Sequence, residues 1–188
     1  MTEIYLCRHG ETDWTLSGQH TGITDLPLNQ QGIKQLIPLR KRLQKIPWKI
    51  VLSSPLKRAL QTCQFMQLDH SCMPEPKAVE WNYGKYEGKT SDQIAKENPS
   101  WNLFLQGAPN GETPAQIGAR ADQLLAELRP LTGNILLFSH GHFLRVLAAR
   151  WLGLPPGDGR LFALSVASLS ILGFERGQPV LKLWNEKL

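Results

Sequence analysis

The sequence lacks most of the features that mark metal-binding, secreted or membrane-spanning proteins. Its 188 residues include only three cysteines, Cys7, Cys63 and Cys72, an odd number with no zinc-type spacing. We therefore expect reduced thiols, which are typical of cytoplasmic proteins. No apolar run approaches the length that crosses a bilayer, and no secretory signal pattern opens the sequence. These absences predict a cytoplasmic protein that makes no membrane contact.

Three classes of phosphate-handling or hydrolytic enzyme are excluded by missing motifs. A cysteine-based phosphatase needs arginine six positions after its cysteine, and those positions hold Asp13, Asp69 and Ala78. The Gly-Lys-Ser/Thr of a P-loop is absent. His140 and His142 open a predicted helix, where positions two apart diverge by about 200°, and no acidic cluster accompanies them. We predict neither a metal nor a cofactor.

The net charge of +5 raises the question of nucleic-acid binding. The densest basic run, Arg40-Lys41-Arg42, falls on the polar face of a predicted helix. No zinc finger, RNP-like aromatic motif or extended basic arm accompanies this run. We expect a modest positive field that attracts small anions, and no nucleic-acid partner.

Strand-like runs alternate with helical patterns along the sequence. This order predicts a three-layer α/β/α sandwich with a mostly parallel central sheet and an antiparallel strand at one edge. One domain is expected over residues 1–188, with a cap or lid in the irregular segment 83–111. The edge at 180–184 could pair between subunits, which leaves a homo-oligomer open. The predicted strands are 3–7, 49–53, 77–79, 134–138 at the centre, 168–174 and 180–184.

Charged residues follow the predicted strands at their carboxyl ends. Arg8 and His9 follow the first strand, Arg58 lies one helical turn beyond the second, Glu80 follows the third and His140 follows the central strand. In an open parallel sheet these ends line a common crevice where ligands bind. Arginines grip phosphate oxygens and a carboxylic acid can protonate a leaving oxygen. The pattern therefore indicates a phosphoryl-transfer site.

Four motifs, at residues 8–12, 53–62, 80–88 and 138–142, resemble those of the histidine phosphatase superfamily, the phosphoglycerate-mutase-like clan. Nearly the whole chain is covered, in the order and spacing of that family. The segments "GQHTGITDLPLN", "NGETPAQIGAR" and "GHFLRVLAARWLGL" are most similar to the branch with fungal sedoheptulose-1,7-bisphosphatase and its bacterial relatives. The general motifs are "RHGET" (8–12), "SSPLKRALQT" (53–62), "EWNYGKYEG" (80–88) and "FSHGH" (138–142).

The resemblance implies a role for each matching residue. His9 is the expected nucleophile, neutral and held in one tautomer by a hydrogen bond at its other ring nitrogen. Arg8, Arg58 and His140 are expected around the phosphate, and Glu80 as the proton donor. Thr21 and Gly22 match a loop that offers backbone N–H groups to phosphate. Further substrate contacts are expected from Thr15, His20, Tyr83 and Gly141, with Glu11, Asp13 and Arg145 as supporting candidates.

Two departures from the mutase pattern favour hydrolysis over mutase activity. Thr15 stands where mutases usually have asparagine, and Trp81-Asn82 where they usually have an arginine-histidine pair. We predict a metal-independent phosphatase that acts on small phosphorylated metabolites, such as sugar mono- or bisphosphates, through a phosphohistidine. Mutase-type phosphoryl transfer and a binding or regulatory domain without turnover remain open alternatives.

Overall fold

A computed structural model describes residues 2–188 and contains a mixed sheet of six strands. The strands are β1 (Thr2–Arg8), β2 (Trp48–Ser53), β3 (Met73–Pro74), β4 (Gly133–Ser139), β5 (Leu169–Glu175) and β6 (Gln178–Glu186). Their order across the sheet is β3-β2-β4-β1-β5-β6. The first four in this order are parallel, whereas β5 and β6 run antiparallel to their neighbours.

Helices cover both faces of the sheet. They are α1 (Asp13–Ser17), α2 (Gln30–Leu43), α3 (Lys57–Phe65), α4 (Ser91–Glu97), α5 (Leu103–Gln106), α6 (Pro114–Leu128) and α7 (Gly141–Trp151). Alternate strand residues belong to separate cores, as the two-residue period of a strand requires. Ile4 and Leu137 pack with α6 and α7, while Tyr5 and Leu136 pack with α2 and α3. The predicted three-layer α/β/α sandwich is confirmed.

Side-chain caps define where several helices begin. Asn29 accepts a hydrogen bond from the Gly32 amide at the start of α2. Thr113 forms a capping box with Gln116 at the start of α6, where Pro114 occupies the first turn. Each cap satisfies an amide that has no partner within its helix. The two caps thereby fix the ends of the loops that lead into α2 and α6.

One predicted strand is wrong in position. The third strand was expected at 77–79, but the pairing strand is Met73–Pro74, which lies beside Leu52 and Ser53 of β2. Residues 76–78 form a short 3-10 helix that begins with a proline. An edge strand tolerates proline, because its outer side does not have to donate backbone hydrogen bonds to a second neighbour. At the opposite edge the antiparallel part of the sheet comprises two strands, β5 and β6.

The expectation of three reduced thiols is also wrong. Cys63 and Cys72 form a disulfide with their Cα atoms 6.3 Å apart, and only Cys7 is free. The chain turns back between α3 and β3, which brings two cysteines nine positions apart to the spacing a disulfide requires. The odd number of cysteines and their lack of zinc-type spacing carry no information about this turn. One of the two grounds for a cytoplasmic location is thereby lost.

Segment 83–111, which was predicted as a cap, contains α4 and α5 joined by irregular backbone. No helix within residues 2–188 has the length and apolarity that a bilayer crossing needs. One domain over 1–188 and the cap function of 83–111 stay predictions.

Candidate active site

The register of the two central strands brings His9 and His140 together. Arg8, the last residue of β1, lies directly opposite Ser139, the last residue of β4. The next residue of each strand is therefore a histidine that leaves the same end of the sheet. The His9 amide donates to the Ser139 carbonyl at 3.1 Å, and the ring centroids of His9 and His140 are 5.2 Å apart. Both side chains are buried.

His9 is held as a neutral imidazole in one tautomer. Its Nδ1 lies 2.7 Å from the Gly10 carbonyl oxygen, which can only accept a hydrogen bond, so Nδ1 carries the proton. Burial is the main reason that the pKa of His9 lies well below its ordinary value, and the charges of Arg58 and Arg8 lower it further. The other nitrogen, Nε2, therefore keeps a free lone pair at neutral pH, as a nucleophile requires.

Arg8 lies between His9 and the beginning of α7. Its Nη1 donates to the Leu164 carbonyl at 2.5 Å, while its Nε is buried and has no hydrogen-bond partner within residues 2–188. A Cβ on Gly141 would be 3.0 Å from the Arg8 guanidinium carbon, so glycine permits this close approach. A buried donor without a partner is rare in proteins, which makes Nε a candidate anion ligand.

Arg58, which was expected to grip phosphate, is engaged mainly by the protein. The side chain is buried, and its Nε donates to His140 Nδ1 at 3.1 Å. Its Nη atoms donate to three carbonyl oxygens of one loop, those of Thr21, Gly22 and Thr24, at 2.8–3.1 Å. Four of its five N–H groups are therefore in use. Arg58 supplies positive charge near His9 and fixes the loop, with at most one N–H left for a ligand.

His140 is likewise bonded at both ring nitrogens. Because Nδ1 accepts from Arg58, the neutral ring carries its proton on Nε2, which lies 2.7 Å from Ser54 Oγ. Burial and the charge of Arg58 hold the pKa of His140 well below its ordinary value. Ser54 follows β2, and its amide donates to the Phe138 carbonyl of β4. His140 thus connects the carboxyl ends of two strands beneath His9.

Glu87 holds the loop that the sequence assigned to phosphate binding. Its Oε1 accepts from the amides of Gly22 and Thr24 at 2.9 and 3.0 Å. The phosphate contact through the Gly22 amide stays a prediction, and in this structure that amide donates to the Glu87 carboxylate. A Cβ at Gly22 would lie 2.5 Å from the Trp81 carbonyl oxygen, so the tight packing of this loop requires glycine.

Glu80 lies at the amino end of α7 and is buried. Its Oε1 accepts from the amides of Trp81 and Phe143, at 2.9 and 2.8 Å. Its Oε2 accepts only from the His142 amide, at 3.0 Å. A carboxylate oxygen offers two lone pairs. Oε2 thus keeps one lone pair to exchange a proton with a ligand, while Oε1 is fully used by the amide of Trp81 and that of Phe143 in α7.

Tyr83 and His142 form a hydrogen-bonded pair beside Glu80. The Tyr83 hydroxyl is 2.5 Å from His142 Nδ1, and Glu80 Oε2 is 3.9 Å from the same nitrogen. Burial raises the pKa of Tyr83 well above its ordinary value and lowers that of His142 well below. The hydroxyl therefore keeps its proton and donates a hydrogen bond to Nδ1. His142 Nε2 is left as an N–H donor.

Five of the residues described above line a cavity of about 330 Å³, namely Arg8, His9, Glu80, Tyr83 and His142. Arg58, His140 and Gly22 are not part of its wall. Thr15 borders this cavity, but its hydroxyl is committed to a capping box with Thr12 at the start of α1. His20 is held by a hydrogen bond between Nδ1 and the Lys89 carbonyl, and its ring packs against Tyr83. The predicted site residues on the wall are Arg8, His9, Thr15, His20, Thr21, Glu80 and Tyr83.

The sequence did not identify Ser54, Glu87, Ser91 or Trp101 as site residues. Ser54 and Glu87 stand within the quoted motifs, but their partners lie on segments far away in the chain, such as Gly22 for Glu87. No local pattern reveals a hydrogen bond of that kind. Ser91 and Trp101 belong to segment 83–111, whose conformation the sequence did not predict.

Comparisons with known proteins agree with this geometry. The model of the family described as "Histidine phosphatase superfamily (branch 1)" matches residues 4–187. An acid phosphatase of Mycobacterium tuberculosis is 39% identical over 93% of this chain and 87% of its own length. The sedoheptulose 1,7-bisphosphatase of Saccharomyces cerevisiae is 35% identical over 79% and 67%. The solved structure of a Mycobacterium tuberculosis open reading frame product superposes with a TM-score of 0.94 at 36% identity, covering 99% of this chain and 98% of that one.

Proposed function

Since the chain belongs to the histidine phosphatase superfamily (branch 1), we propose that it is a metal-independent phosphatase that hydrolyses small phosphomonoesters through a phosphohistidine on His9. One observation carries the proposal. His9 lines the cavity and has a free Nε2 lone pair, because Nδ1–H is held by the Gly10 carbonyl. Arg8 lines the same cavity, and its buried Nε has no hydrogen-bond partner within residues 2–188. A neutral nucleophile beside a buried cationic donor suits attack on a phosphate ester.

The first step transfers the phosphoryl group to the protein. The Nε2 lone pair of His9 forms an N–P bond as the P–O bond to the alcohol breaks. Protonated Glu80 gives its Oε2 proton to the leaving oxygen, so the product alcohol departs neutral. In the second step Glu80 takes a proton from water, whose oxygen attacks phosphorus and displaces His9. Inorganic phosphate and the original protonation states result.

Charge on the transferring group is stabilised by groups that are in place before reaction. Arg8 Nε is a buried donor without a hydrogen-bond partner within residues 2–188, and the amino end of α7 adds partial positive charge at Gly141. Arg58 contributes its charge from below while its hydrogen bonds fix the loop and His140. Such preorganised donors need little rearrangement during the reaction.

The environment of Trp81 and Asn82 supports hydrolysis rather than mutase activity. The indole of Trp81 is buried and donates to the Glu112 carbonyl at 2.9 Å, while the Asn82 amide donates to the Glu112 carboxylate. Neither side chain adds a cation to the cavity beside Glu80. A mutase pocket must hold a phosphorylated acid in two orientations. Trp81 and Asn82 supply no positive charge that would bind such an acid.

The test is hydrolysis of p-nitrophenyl phosphate and sugar phosphates in the presence of a chelator. We expect sustained turnover by the wild type and none by His9→Ala, with His70→Ala, at an exposed histidine, as the matched control. Rapid quenching should trap label that is stable in alkali and lost in acid. Label on serine or cysteine, loss of activity in chelator, or binding without phosphate release would each contradict the proposal.

The cytoplasmic location stays a prediction. A homo-oligomer and the identity of the small phosphorylated metabolite also stay predictions.

A further inference from the structure

A second cavity, which we call the outer chamber, adjoins the one that contains His9. Its volume is about 380 Å³, and it shares His20, Ser91 and His142 with the first cavity. The two are therefore neighbours separated by a wall of three side chains. The other residues that line the outer chamber are Asp92, Ala95, Asn98, Trp101, Asn102, Leu103, Phe104, Arg145 and Arg160.

Arg145 is the outer-chamber cation that the fold holds most firmly. It lies on α7 five residues after His140, so its backbone is about 7 Å further along the helix axis than that of His140. Its guanidinium carbon is 4.4 Å from the centroid of the Phe104 ring. Its Nε donates to the Gly159 carbonyl at 3.0 Å and its Nη2 to that of Arg160 at 3.1 Å. Nη1 has no partner within residues 2–188.

The charge of Arg145 is not neutralised by the part of the chain that the structure describes. No carboxylate lies within ion-pair distance of it in residues 2–188, whereas Arg160 pairs with Asp158 at 2.5 Å. Asp92 also lines the chamber, but it forms no ion pair with Arg145. The half-buried guanidinium therefore lines the chamber without an ion pair, and the Glu80 carboxylate attracts it only from beyond ion-pair distance. A charge in that setting favours an anionic ligand.

We propose that the outer chamber binds a second acidic group of the substrate, with Arg145 as the specificity-determining residue. Preferred substrates are then phosphomonoesters whose leaving alcohol carries a further phosphate or a carboxylate. The reacting phosphate occupies the cavity at His9, and the alcohol passes the His20–His142 wall. The proposal rests on the phosphatase function proposed above, since it assumes that the leaving group extends from His9 toward this chamber.

The experiment uses substrate pairs that differ only in the second acidic group. Fructose 1,6-bisphosphate is compared with fructose 1-phosphate, and 3-phosphoglycerate with glycerol 3-phosphate. For the wild type, kcat/KM should be about 10- to 100-fold higher for the two-anion member of at least one pair, as expected for one charge-assisted hydrogen-bond site. A preference in the first pair alone identifies phosphate as the second group, and in the second pair alone carboxylate.

Arg145→Gln should reduce that ratio to near one, and Arg145→Lys should restore part of it. Arg176→Gln provides the matched control, because Arg176 is exposed in the β5–β6 turn at the opposite end of β1. Equal rates for both members of each pair in the wild type would overturn the proposal. An equal loss on all substrates in Arg145→Gln would do so too, since it would show a structural role.

A binding measurement separates this proposal from the phosphatase function. Each compound is titrated calorimetrically into His9→Ala and into the double variant His9→Ala/Arg145→Gln, in which no turnover is expected. Tighter binding of two-anion compounds that depends on Arg145 supports the outer chamber even if no substrate is hydrolysed by the wild type. Turnover with equal affinities for both members of each pair would retain the phosphatase and reject the second-anion site.

Discussion

The two buried imidazoles should make the protein's stability depend on pH in a defined range. Burial is the first cause that lowers the pKa values of His9 and His140, and Arg58 is the second. Both rings stay neutral in the native state at a pH where histidines of the unfolded chain accept protons. Stability is therefore retained above the unfolded pKa and falls as the pH drops below it. This is the reverse of a histidine stabilised by a carboxylate.

The magnitude follows from linkage. Each histidine with an unfolded pKa near 6.5 that stays neutral in the native state reduces the free energy of unfolding by about 2 kcal/mol between pH 7.5 and pH 5.0. His9 and His140 together therefore account for about 4 kcal/mol, a large fraction of ordinary domain stability. His142 adds less than a full share, because 26% of its side chain is exposed.

Urea denaturation followed by tryptophan fluorescence at several pH values measures this loss. His9→Gln should halve the contribution by removing one of the two sites, whereas His70→Gln should leave it unchanged because His70 is exposed. A free energy of unfolding that stays constant from pH 7.5 to 5.0 would refute the burial argument. A loss of the same size in His9→Gln would show that other groups cause it.

Two further variants examine single hydrogen-bond roles. Glu80→Gln should slow hydrolysis of alkyl phosphates by about 100-fold or more but affect that of p-nitrophenyl phosphate far less, since only poor leaving groups need the proton. An equal reduction of both rates in a side-by-side kinetic assay would reject Oε2 as the proton donor. Glu87→Ala leaves the Gly22 and Thr24 amides unpaired, so we expect a free energy of unfolding in urea that is about 1–3 kcal/mol lower, and a lower kcat. Glu87→Gln keeps an acceptor and should recover part of both losses. A fully active Glu87→Ala would contradict the positioning role of Glu87.

Much of the site could be predicted from the sequence because its residues follow strands directly. Arg8, His9 and His140 stand at strand ends, and the spacing of strands in a parallel sheet places such ends together. The three-layer fold followed from the same alternation of strand and helix patterns. A carbonyl partner for the other nitrogen of His9 was also expected and is present as Gly10.

Contacts between distant segments could not be predicted in this way. Arg58 was expected to hold phosphate, but the loop carbonyls at 21–24 take up most of its donors. The Gly22 amide was expected to be free, but it bonds to Glu87 65 positions along the chain. The disulfide between Cys63 and Cys72 depends on the turn of the chain between α3 and β3. None of these pairings produces a periodic pattern or a local motif.

The spacing between His9 and His140 is inherited from the backbone of the sheet. Parallel neighbours lie about 4.8 Å apart, close to the 5.2 Å between the ring centroids. Peptide hydrogen bonds therefore set the distance between the two backbones, while Arg58, Ser54 and the Gly10 carbonyl fix the two rings. Deleting a single residue from β1 or β4 would turn one imidazole to the opposite face of the sheet. The chemistry is thus more sensitive to chain length within these strands than to most substitutions on the cavity wall.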